Sequence, residues 1–386
     1  MTKSGAMYDY VIGGAGLAGL TLAWKMVESG ILSGKTLLII EPDNKSKNDR
    51  TWSFWNENEP WLTQLPTLKK WNEAEIWGHN YHKIYTLNPF SYYKIEGKEF
   101  YEFAKLQIQS CPNITWLKDS VIGEDANSQQ VFTPTHSFRF KEYFFKNYFN
   151  SSLLPSLNGK GKHFIWQHFL GWTIRTKTEQ FKPDVITYMD MRVPAIEKGL
   201  SFAYILPTSE TEALVEYTLF SADLWEKNAY QKALVNYIEQ ILGISEYKIL
   251  DEEFNKIPMT NAVFAKREKN IIPIGTLAGT VKPSTGYSFI RNFRHVQKII
   301  RSLLSGSDDF SIDASLRFKF YDEVLINVLK TGKADGQQVF QLMYEQNDLR
   351  LLFRFLNEET SLLQDLKIMN SVPKMPFVKA VWEELL

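Results

Sequence analysis

Apolar positions near the start of the chain follow two different periods. Residues 8–12 form a short apolar run that ends in glycines. Apolar residues then recur at three- and four-residue spacing as far as Gly30, which predicts a helix. Residues 37–40 (LLII) form a second, continuous apolar run, typical of a strand buried on both faces of a parallel sheet. Strand, glycine turn, helix and strand together make a βαβ unit, which opens a doubly wound α/β fold.

The middle of the chain has a different pattern. Segments 186–193, 201–206 and 213–220 are short, rich in β-branched or aromatic residues, and separated by turn residues. They predict a mostly antiparallel sheet set into the nucleotide-binding domain. From about residue 310 to residue 386 the apolar spacing becomes helical again, which predicts a helical C-terminal region.

Composition adds limits on the class of protein. At 386 residues the chain is long enough for two domains, or for one large domain with a second inserted into it. Aromatic residues make up 14% of the chain. A large aromatic core is the simpler interpretation, and a tunnel for a long apolar ligand is the functional one. Lys+Arg and Asp+Glu number 44 each, so no net charge favours nucleic acid as a partner.

The cysteine count and the hydropathy of the chain limit the kinds of covalent link, metal site and membrane segment that we expect. The single cysteine, Cys111, excludes an intramolecular disulfide and a cysteine-cluster metal site, and we predict no metal. The first residues lack the features of a signal peptide. Because no apolar run reaches the length of about 18 residues that a spanning helix needs, we expect a protein that is soluble or lies on a membrane surface.

A GxGxxG motif occupies residues 14–19, between the first predicted strand and the first predicted helix. Its context is that of a dinucleotide-binding site, in which Gly14 permits a tight turn and Gly16 lets the backbone approach a pyrophosphate. Gly19 allows the helix to pack closely on the strand. Glu41 ends the second strand, where a carboxylate accepts ribose hydroxyls and repels a 2′-phosphate, which favours FAD or NAD over NADP. The predicted contacts are Gly14, Gly16, Leu17, Ala18, Gly19 and Glu41.

A second strand–glycine–helix junction lies far downstream. Residues 271–275 (IIPIG) form an apolar strand that ends in Gly275, and a helix is predicted from about Tyr287. Such a junction brings another helix N-terminus to the ligand, and a long cofactor such as FAD uses both. The position of the first motif near the N-terminus also favours FAD, although the motif itself does not separate FAD from NAD.

Five segments, in order, resemble those of the lycopene cyclases, with the bacterial type as the most similar group. The two longest are residues 49–55 (DRTWSFW) and residues 275–287 (GTLAGTVKPSTGY). Between them lie residues 167–172 (QHFLGW), residues 189–190 (MD) and residues 214–218 (LVEYT). The resemblance extends from residue 7 to about residue 300.

The resemblance implies a flavoprotein of the glutathione-reductase and hydroxylase type. We expect a discontinuous FAD-binding domain, an inserted substrate domain and a C-terminal helical region. The first comprises residues 1–60, 100–165 and 255–305, the second residues 61–99 and 166–254, and the third residues 306–386. The expected flavin contacts are Arg50, Gly275, Thr276 and Gly286.

The implied activity is closure of the ends of lycopene into β rings, through γ-carotene to β-carotene, without net redox change. The implied cofactor is FAD in its reduced form, with NADPH or NADH as reductant. Lycopene is dissolved in membranes, so we expect a cytoplasmic protein on the inner face of the cytoplasmic membrane. Lys367, Lys374 and Lys379 lie near apolar residues of the C-terminal helices and suggest a membrane portal, with ordinary helix packing as the alternative.

Glu216 is the candidate catalytic acid or base. Alternation along its predicted strand places Leu214, Glu216 and Thr218 on one face. In an apolar cavity the pKa of this carboxyl would rise, whereas on an edge strand it would be an ordinary solvated glutamate. The resemblance implies the catalytic role. Tyr217 stands where the family has an acidic residue, so we predict no second carboxylate there.

Other residues and other functions are weighed beside these. His168 in the QHFLGW segment is typical of a packed, hydrogen-bonded histidine, and Asp190 of a residue that orients a loop or the substrate side. A flavin monooxygenase or a geranylgeranyl reductase-like enzyme is the nearest alternative function. A non-catalytic carotenoid-binding flavoprotein is the alternative from another class. The sequence makes no prediction of the oligomeric state.

Overall fold

Two seven-stranded sheets, a three-stranded sheet and nine helices form the part of the chain that the computed structural model describes, residues 5–57, 59–65, 68–148, 162–262, 265–313 and 315–385. The strands are β1 (Met7–Gly13), β2 (Leu37–Ile40), β3 (Thr51–Asn56), β4 (Lys69–Trp71), β5 (Glu73–Gly78), β6 (Tyr81–Thr86), β7 (Ser91–Glu96), β8 (Ile114–Leu117), β9 (Gly123–Asp125), β10 (Gln130–Phe132), β11 (Ser137–Lys146), β12 (Phe164–Thr176), β13 (Val185–Asp190), β14 (Leu200–Pro207), β15 (Glu212–Ser221), β16 (Tyr247–Thr260) and β17 (Ile271–Pro273). The helices are α1 (Leu17–Glu28), α2 (Gly97–Gln109), α3 (Lys227–Asn236), α4 (Phe289–Ser305), α5 (Leu316–Thr331), α6 (Gly336–Gln346), α7 (Leu349–Leu356), α8 (Leu362–Met369) and α9 (Lys374–Leu385). Short 3₁₀ turns occupy Pro60–Gln64 and Gly275–Ala278.

The first sheet is the nucleotide-binding one. Strands β8, β2, β1 and β11 are parallel, and β17 adds in parallel to the C-terminal half of β11. Strands β10 and β9 extend the sheet in antiparallel pairing. The four residues of β2 are all buried, as its apolar run predicts. Leu37 and Ile39 pack in the cluster formed with helices α1, α2 and α4, and Leu38 and Ile40 belong to a second cluster with residues of β10 and β11. The predicted Rossmann-like α/β fold is confirmed.

The second sheet has the order β16-β12-β15-β14-β13-β5-β6. All its neighbours are antiparallel except β13 and β5, which are parallel, so the mostly antiparallel prediction is confirmed. Helix α3 packs on one face, against Val215 and Tyr217 of β15. The C-terminal helices cover the other face, where Leu214 and Phe220 belong to the core. Alternation along β15 therefore separates two environments.

The small sheet β3-β7-β4 joins the two large ones along the chain. Its strand β3 contains most of the DRTWSFW segment, and Phe54 stacks on Phe289 at the start of α4, with ring centroids 4.3 Å apart. Trp55 stacks in the same way on Phe353 of α7 at 4.6 Å. The aromatic run thus contacts α4 of the nucleotide-binding part through Phe54 and α7 of the C-terminal helices through Trp55.

The predicted domain boundaries remain a prediction. The boundary at residue 255 falls inside strand β16, which is continuous from residue 247 to residue 260. Residues 149–161, next to the boundary at 165, lie outside the described residues. Within the described part of the chain, no helix has the length and hydropathy needed to cross a bilayer.

Candidate active site

The glycine motif forms one end of a cavity of 460 Å³. Gly14 has a φ of +101°, a conformation that L side chains rarely adopt, and its carbonyl lies against the helix at Gly19. A Cβ on Gly19 would collide with that carbonyl oxygen, so Gly19 permits the close packing of α1 on β1. Gly16 precedes the first residue of α1 and faces the cavity, as do Leu17 and Ala18.

Glu41 borders the same cavity at the end of β2. One of its carboxylate oxygens accepts a hydrogen bond of 2.6 Å from the Ala15 N–H, and the other accepts one of 3.0 Å from the Asp43 N–H. The Nζ of Lys45 lies 3.7 Å from the second oxygen. These contacts fix an acidic group opposite the helix N-terminus, in the position where the sequence predicts a ribose contact.

The downstream loop completes the cavity. Gly275, with a φ of +64°, and Thr276 border it from the start of the 3₁₀ turn after β17. Asn292 of α4 also borders it, and its buried Oδ1 has no hydrogen-bond partner among the described residues. Both ends of the predicted FAD site are therefore at one cavity, which agrees with the two strand–glycine–helix junctions of the sequence.

A second cavity of 740 Å³ lies between the second sheet and the C-terminal helices. Four residues border both cavities, and they are Arg50, Trp52, Thr276 and Ser288. Gly286, the last of the predicted flavin contacts, borders only the larger one, and a Cβ there would collide with Gln167 of β12. The buried Gln167 Oε1 and Ser284 Oγ in its lining have no partner among the described residues.

The lining of the larger cavity is rich in tyrosine. Tyr188, Tyr204 and Tyr287 border it. The hydroxyl of Tyr92, behind them, forms hydrogen bonds of 2.5 Å to Tyr204 and 2.8 Å to Tyr287. Burial raises the pKa of all four phenols above the usual value, so they stay neutral. The aromatic excess of the composition was a signal of this group, although it did not identify the residues.

Glu216 lies in the wall of this cavity and is 9% exposed. Burial raises the pKa of its carboxyl to about 8, and the nearby carboxylate of Glu253 acts in the same direction. A hydrogen bond from the Thr218 hydroxyl opposes this rise. At neutral pH the carboxyl is therefore largely protonated and able to donate a proton inside an aromatic cavity.

Glu253 of β16 borders the same cavity and was missed in the sequence. Tyr217 faces the opposite side of the sheet, toward α3, so an acidic residue at position 217 would not reach the cavity from this backbone. The second carboxylate comes instead from a strand that is distant in sequence. The acidic run 251–253 was the available signal, but its face depends on the pairing of β16 with β12.

His168 and Asp190 are outside the cavity. His168 is buried between the hydroxyls of Tyr230 and Ser221, and burial lowers the pKa of its imidazole to about 4. Asp190 pairs with Arg192 at 2.5 Å and accepts a hydrogen bond of 2.7 Å from Tyr237. Both have the structural role that hydrogen-bonded, buried groups usually have.

Comparison with solved structures agrees with the α/β fold described above, and the similar structures include flavin-dependent enzymes. A geranylgeranyl bacteriochlorophyll reductase-like protein from Thermoplasma acidophilum is similar at 14% identity and a TM-score of 0.59, over 98% of this chain and 96% of that one. A flavin-dependent brominase is similar at 12% identity and 0.57, over 98% and 99%. A myxobacterial chondrochloren halogenase, an FAD-dependent enzyme, is similar at 12% and 0.57, over 96% and 99%.

The family assignment is more specific than the assignment of the fold. Residues 9–381, nearly the whole chain, match the family model described as lycopene cyclase protein. The chain belongs to the lycopene cyclase family, as its five sequence segments indicated.

Proposed function

We propose that the protein cyclises the end groups of lycopene to β rings, through γ-carotene to β-carotene, with FAD as cofactor. One observation carries the proposal: the buried carboxyl of Glu216 borders an aromatic cavity that shares a wall with the glycine-motif cavity. Membership of the lycopene cyclase family supports the substrate class. The solved structures to which the chain is similar include an FAD-dependent halogenase, which supports the choice of FAD as cofactor.

The residues of the smaller cavity fit FAD. Among the described residues, and apart from its neighbours along the chain, a Cβ placed on Gly16 would have only Asn147 Nδ2 within 4 Å, at 3.5 Å, so the backbone there is open to a pyrophosphate. Glu41 would supply the ribose acceptor, and Thr276 and Arg50, which border both cavities, would hold the flavin end. Bound FAD in its reduced form, with NADPH or NADH as reductant, would supply negative charge near a carbocation.

The residues of the larger cavity account for an acid-initiated cyclisation. Glu216 donates its proton to the terminal double bond of the end group, which leaves a tertiary carbocation. The neighbouring double bond closes a six-membered ring, and loss of a proton gives the β ring. Tyr188, Tyr204 and Tyr287 border the cavity, where their aromatic rings would stabilise positive charge through cation–π attraction. Their bulk also keeps out water, which would convert the cation to an alcohol.

The C-terminal helices fit contact with a lipid bilayer. In α8, Leu362, Leu363 and Leu366 are 59%, 80% and 61% exposed, and in α9 Trp382 is 63% exposed. Soluble surfaces seldom carry large side chains of this kind in a group. Exposed Lys367, Lys374 and Lys379 lie on the same two helices and would meet anionic headgroups.

This surface is continuous with the larger cavity. Leu366, Phe377 and Val378 of α8 and α9 border that cavity. A carotenoid leaving the bilayer would therefore reach Glu216 without crossing water, and we propose peripheral association with the inner face of the cytoplasmic membrane.

The test is expression of the chain in cells that accumulate lycopene, beside a Glu216→Gln variant, with chromatography of the pigments. We expect β-carotene or γ-carotene from the native chain and unchanged lycopene from the variant. Unchanged lycopene from the native chain with FAD bound would reject the proposal. Stoichiometric use of NADPH would then identify a monooxygenase or reductase, and pigment binding without conversion a carrier.

A further inference from the structure

Glu216 and Glu253 lie on one row across three strands. Gly171 of β12 is the direct partner of Glu216 on β15 and also of Glu253 on β16. Directly paired residues point to the same face of a sheet. The two glutamates therefore face the same cavity from either side of Gly171, with Cα atoms about 10 Å apart over two strand spacings.

Gly171 keeps the space between them open. A Cβ at this position would lie 3.6 Å from both Cβ and Cγ of Glu216, and 3.1 Å from Leu214 Cδ1. The β12 residues that border the cavity, Gln167 and Phe169, have large side chains. Glycine is thus placed where a side chain would separate the two carboxyl groups.

The two carboxyl groups have different surroundings. One oxygen of Glu253 accepts hydrogen bonds from the Thr51 N–H at 3.2 Å and from Asn255 Nδ2 at 3.1 Å. The positive charge of Arg50 also stabilises its ionised form. Glu216 receives one hydrogen bond, from Thr218. Burial raises the pKa of both groups, but Glu253 has the donors and the cation, so it ionises first.

We propose that Glu216 and Glu253 are an acid–base pair, in which Glu216 gives the first proton and Glu253 takes the last one. The inference rests on the proposed function and divides the single role assigned there between two residues. It gives Gly171 a positioning role, because the gap that it leaves lets one end group meet both carboxyls.

The steps balance without any net transfer of electrons. The O–H bond of Glu216 breaks, and its proton forms a C–H bond at the terminal double bond. The electron pair of the neighbouring double bond then forms the ring C–C bond. A ring C–H bond breaks, its electron pair becomes the ring double bond, and its proton goes to the Glu253 carboxylate. Exchange with solvent returns a proton to Glu216 and removes one from Glu253.

The test compares Glu253→Gln with Glu252→Gln in purified, FAD-loaded protein supplied with lycopene in liposomes. Glu252 is the matched control, because it lies on the same strand, faces the other way and pairs with Lys227 at 2.5 Å. We expect β-ring formation to fall roughly 100-fold in Glu253→Gln, the usual contribution of a general base. Lycopene is still consumed, and its end groups are found hydrated or with the double bond elsewhere in the ring.

The composition of the end groups decides the matter, because a merely structural change would lower the yield and leave β rings as the product. Unaltered β-ring formation by Glu253→Gln, or complete loss of lycopene consumption with FAD still bound, would overturn the pairing.

If Glu253→Gln does not fold, Gly171→Ala replaces it, since position 171 has no left-handed φ and both carboxyls stay in place. We expect this variant to slow β-ring formation about tenfold, and native rates would overturn the inference. Failure of the proposed function itself is separate, because the native chain would then leave lycopene unchanged.

Discussion

The hydroxyl of Thr218 donates a hydrogen bond of 2.5 Å to the carboxyl group of Glu216, from two positions further along the same face of β15. This bond favours the charged form of Glu216, whereas burial and the carboxylate of Glu253 favour the neutral form. The balance leaves the pKa of Glu216 at about 8. Thr218 thus limits the rise in the pKa of Glu216 that burial in the cavity causes.

The first prediction concerns the pH dependence of cyclisation. Because Glu216 acts in its protonated form, the rate should be high near pH 7 and fall as pH rises through about 8. Thr218→Val removes the donor and should move this midpoint up by about one pH unit. Initial rates of ring formation in liposomes give the profile. The titratable groups that act on Glu216 from other strands are Tyr204 on β14 and Glu253 on β16, and a midpoint below pH 6 would contradict the assignment.

The second prediction concerns stability at the same residue. The pKa of Glu216 is higher in the folded protein than in the unfolded chain, so the unfolded state releases this proton first as pH rises. The contribution of Glu216 to the free energy of unfolding should therefore decrease between about pH 4.5 and pH 8. Glu216→Gln has no such loss and should be more stable than the native protein at pH 8, by a few kcal/mol at most. Chemical denaturation at pH 5 and pH 8 measures the difference, and an equal effect at both values would refute it.

The third prediction separates two glycines of the nucleotide motif. Gly16→Val places a side chain in the smaller cavity, at a φ of −77° that valine adopts freely, so the protein should fold and lose FAD. Gly19→Val collides with the Gly14 carbonyl and should prevent the packing of α1 on β1. Flavin absorbance of the purified protein and its circular dichroism distinguish the outcomes. Retention of FAD by Gly16→Val would show that the cofactor binds elsewhere.

The fourth prediction concerns the exposed helices α8 and α9. Leu363→Asp together with Trp382→Asp should weaken binding to anionic vesicles at least about tenfold, because each leucine or tryptophan inserted into a bilayer contributes a few kcal/mol. Leu304→Asp on α4 is the matched control, since Leu304 is 61% exposed and lies outside these helices. Vesicle flotation gives the bound fraction. Equal binding of the native protein and the double variant would place the membrane contact on another surface.

The fifth prediction concerns His168. Its imidazole is neutral in the folded protein because burial lowers its pKa to about 4. The unfolded chain binds this proton at higher pH, so the contribution of His168 to stability should be lost as pH falls from about 6.5 to 4. His168→Gln should lower the free energy of unfolding by about 1–3 kcal/mol at pH 7 while the folded fraction keeps its activity. Loss of activity at unchanged stability would instead give His168 a catalytic role.

Local features of the fold were predictable from the sequence. The βαβ unit and the glycine motif depend on neighbouring residues, so their pattern is complete within about forty positions. The cavity-facing position of Glu216 follows from alternation along a single strand. The parallel pairing of β13 with β5 was not predictable, since it joins segments more than a hundred residues apart.

The position of Glu253 was not predictable from the sequence for the same reason. Its place beside Glu216 depends on β12 lying between β15 and β16, and no periodicity within any one of these strands contains that order. The sequence directed attention to position 217, next to Glu216 along the chain. In a sheet, however, the neighbour in space is across the strands, and the neighbour in sequence is on the opposite face.

Within the described part of the chain, the two cavities share four lining residues, Arg50, Trp52, Thr276 and Ser288, which form a partition between them. A change of charge on one side of such a partition alters the binding free energy on the other side, and thermodynamic linkage makes the effect reciprocal. If the redox state of a nucleotide cofactor alters the affinity for a polyene, the polyene must shift the reduction potential of the cofactor by the same free energy. The substrate would thereby select the electronic state of the cofactor that its own conversion requires.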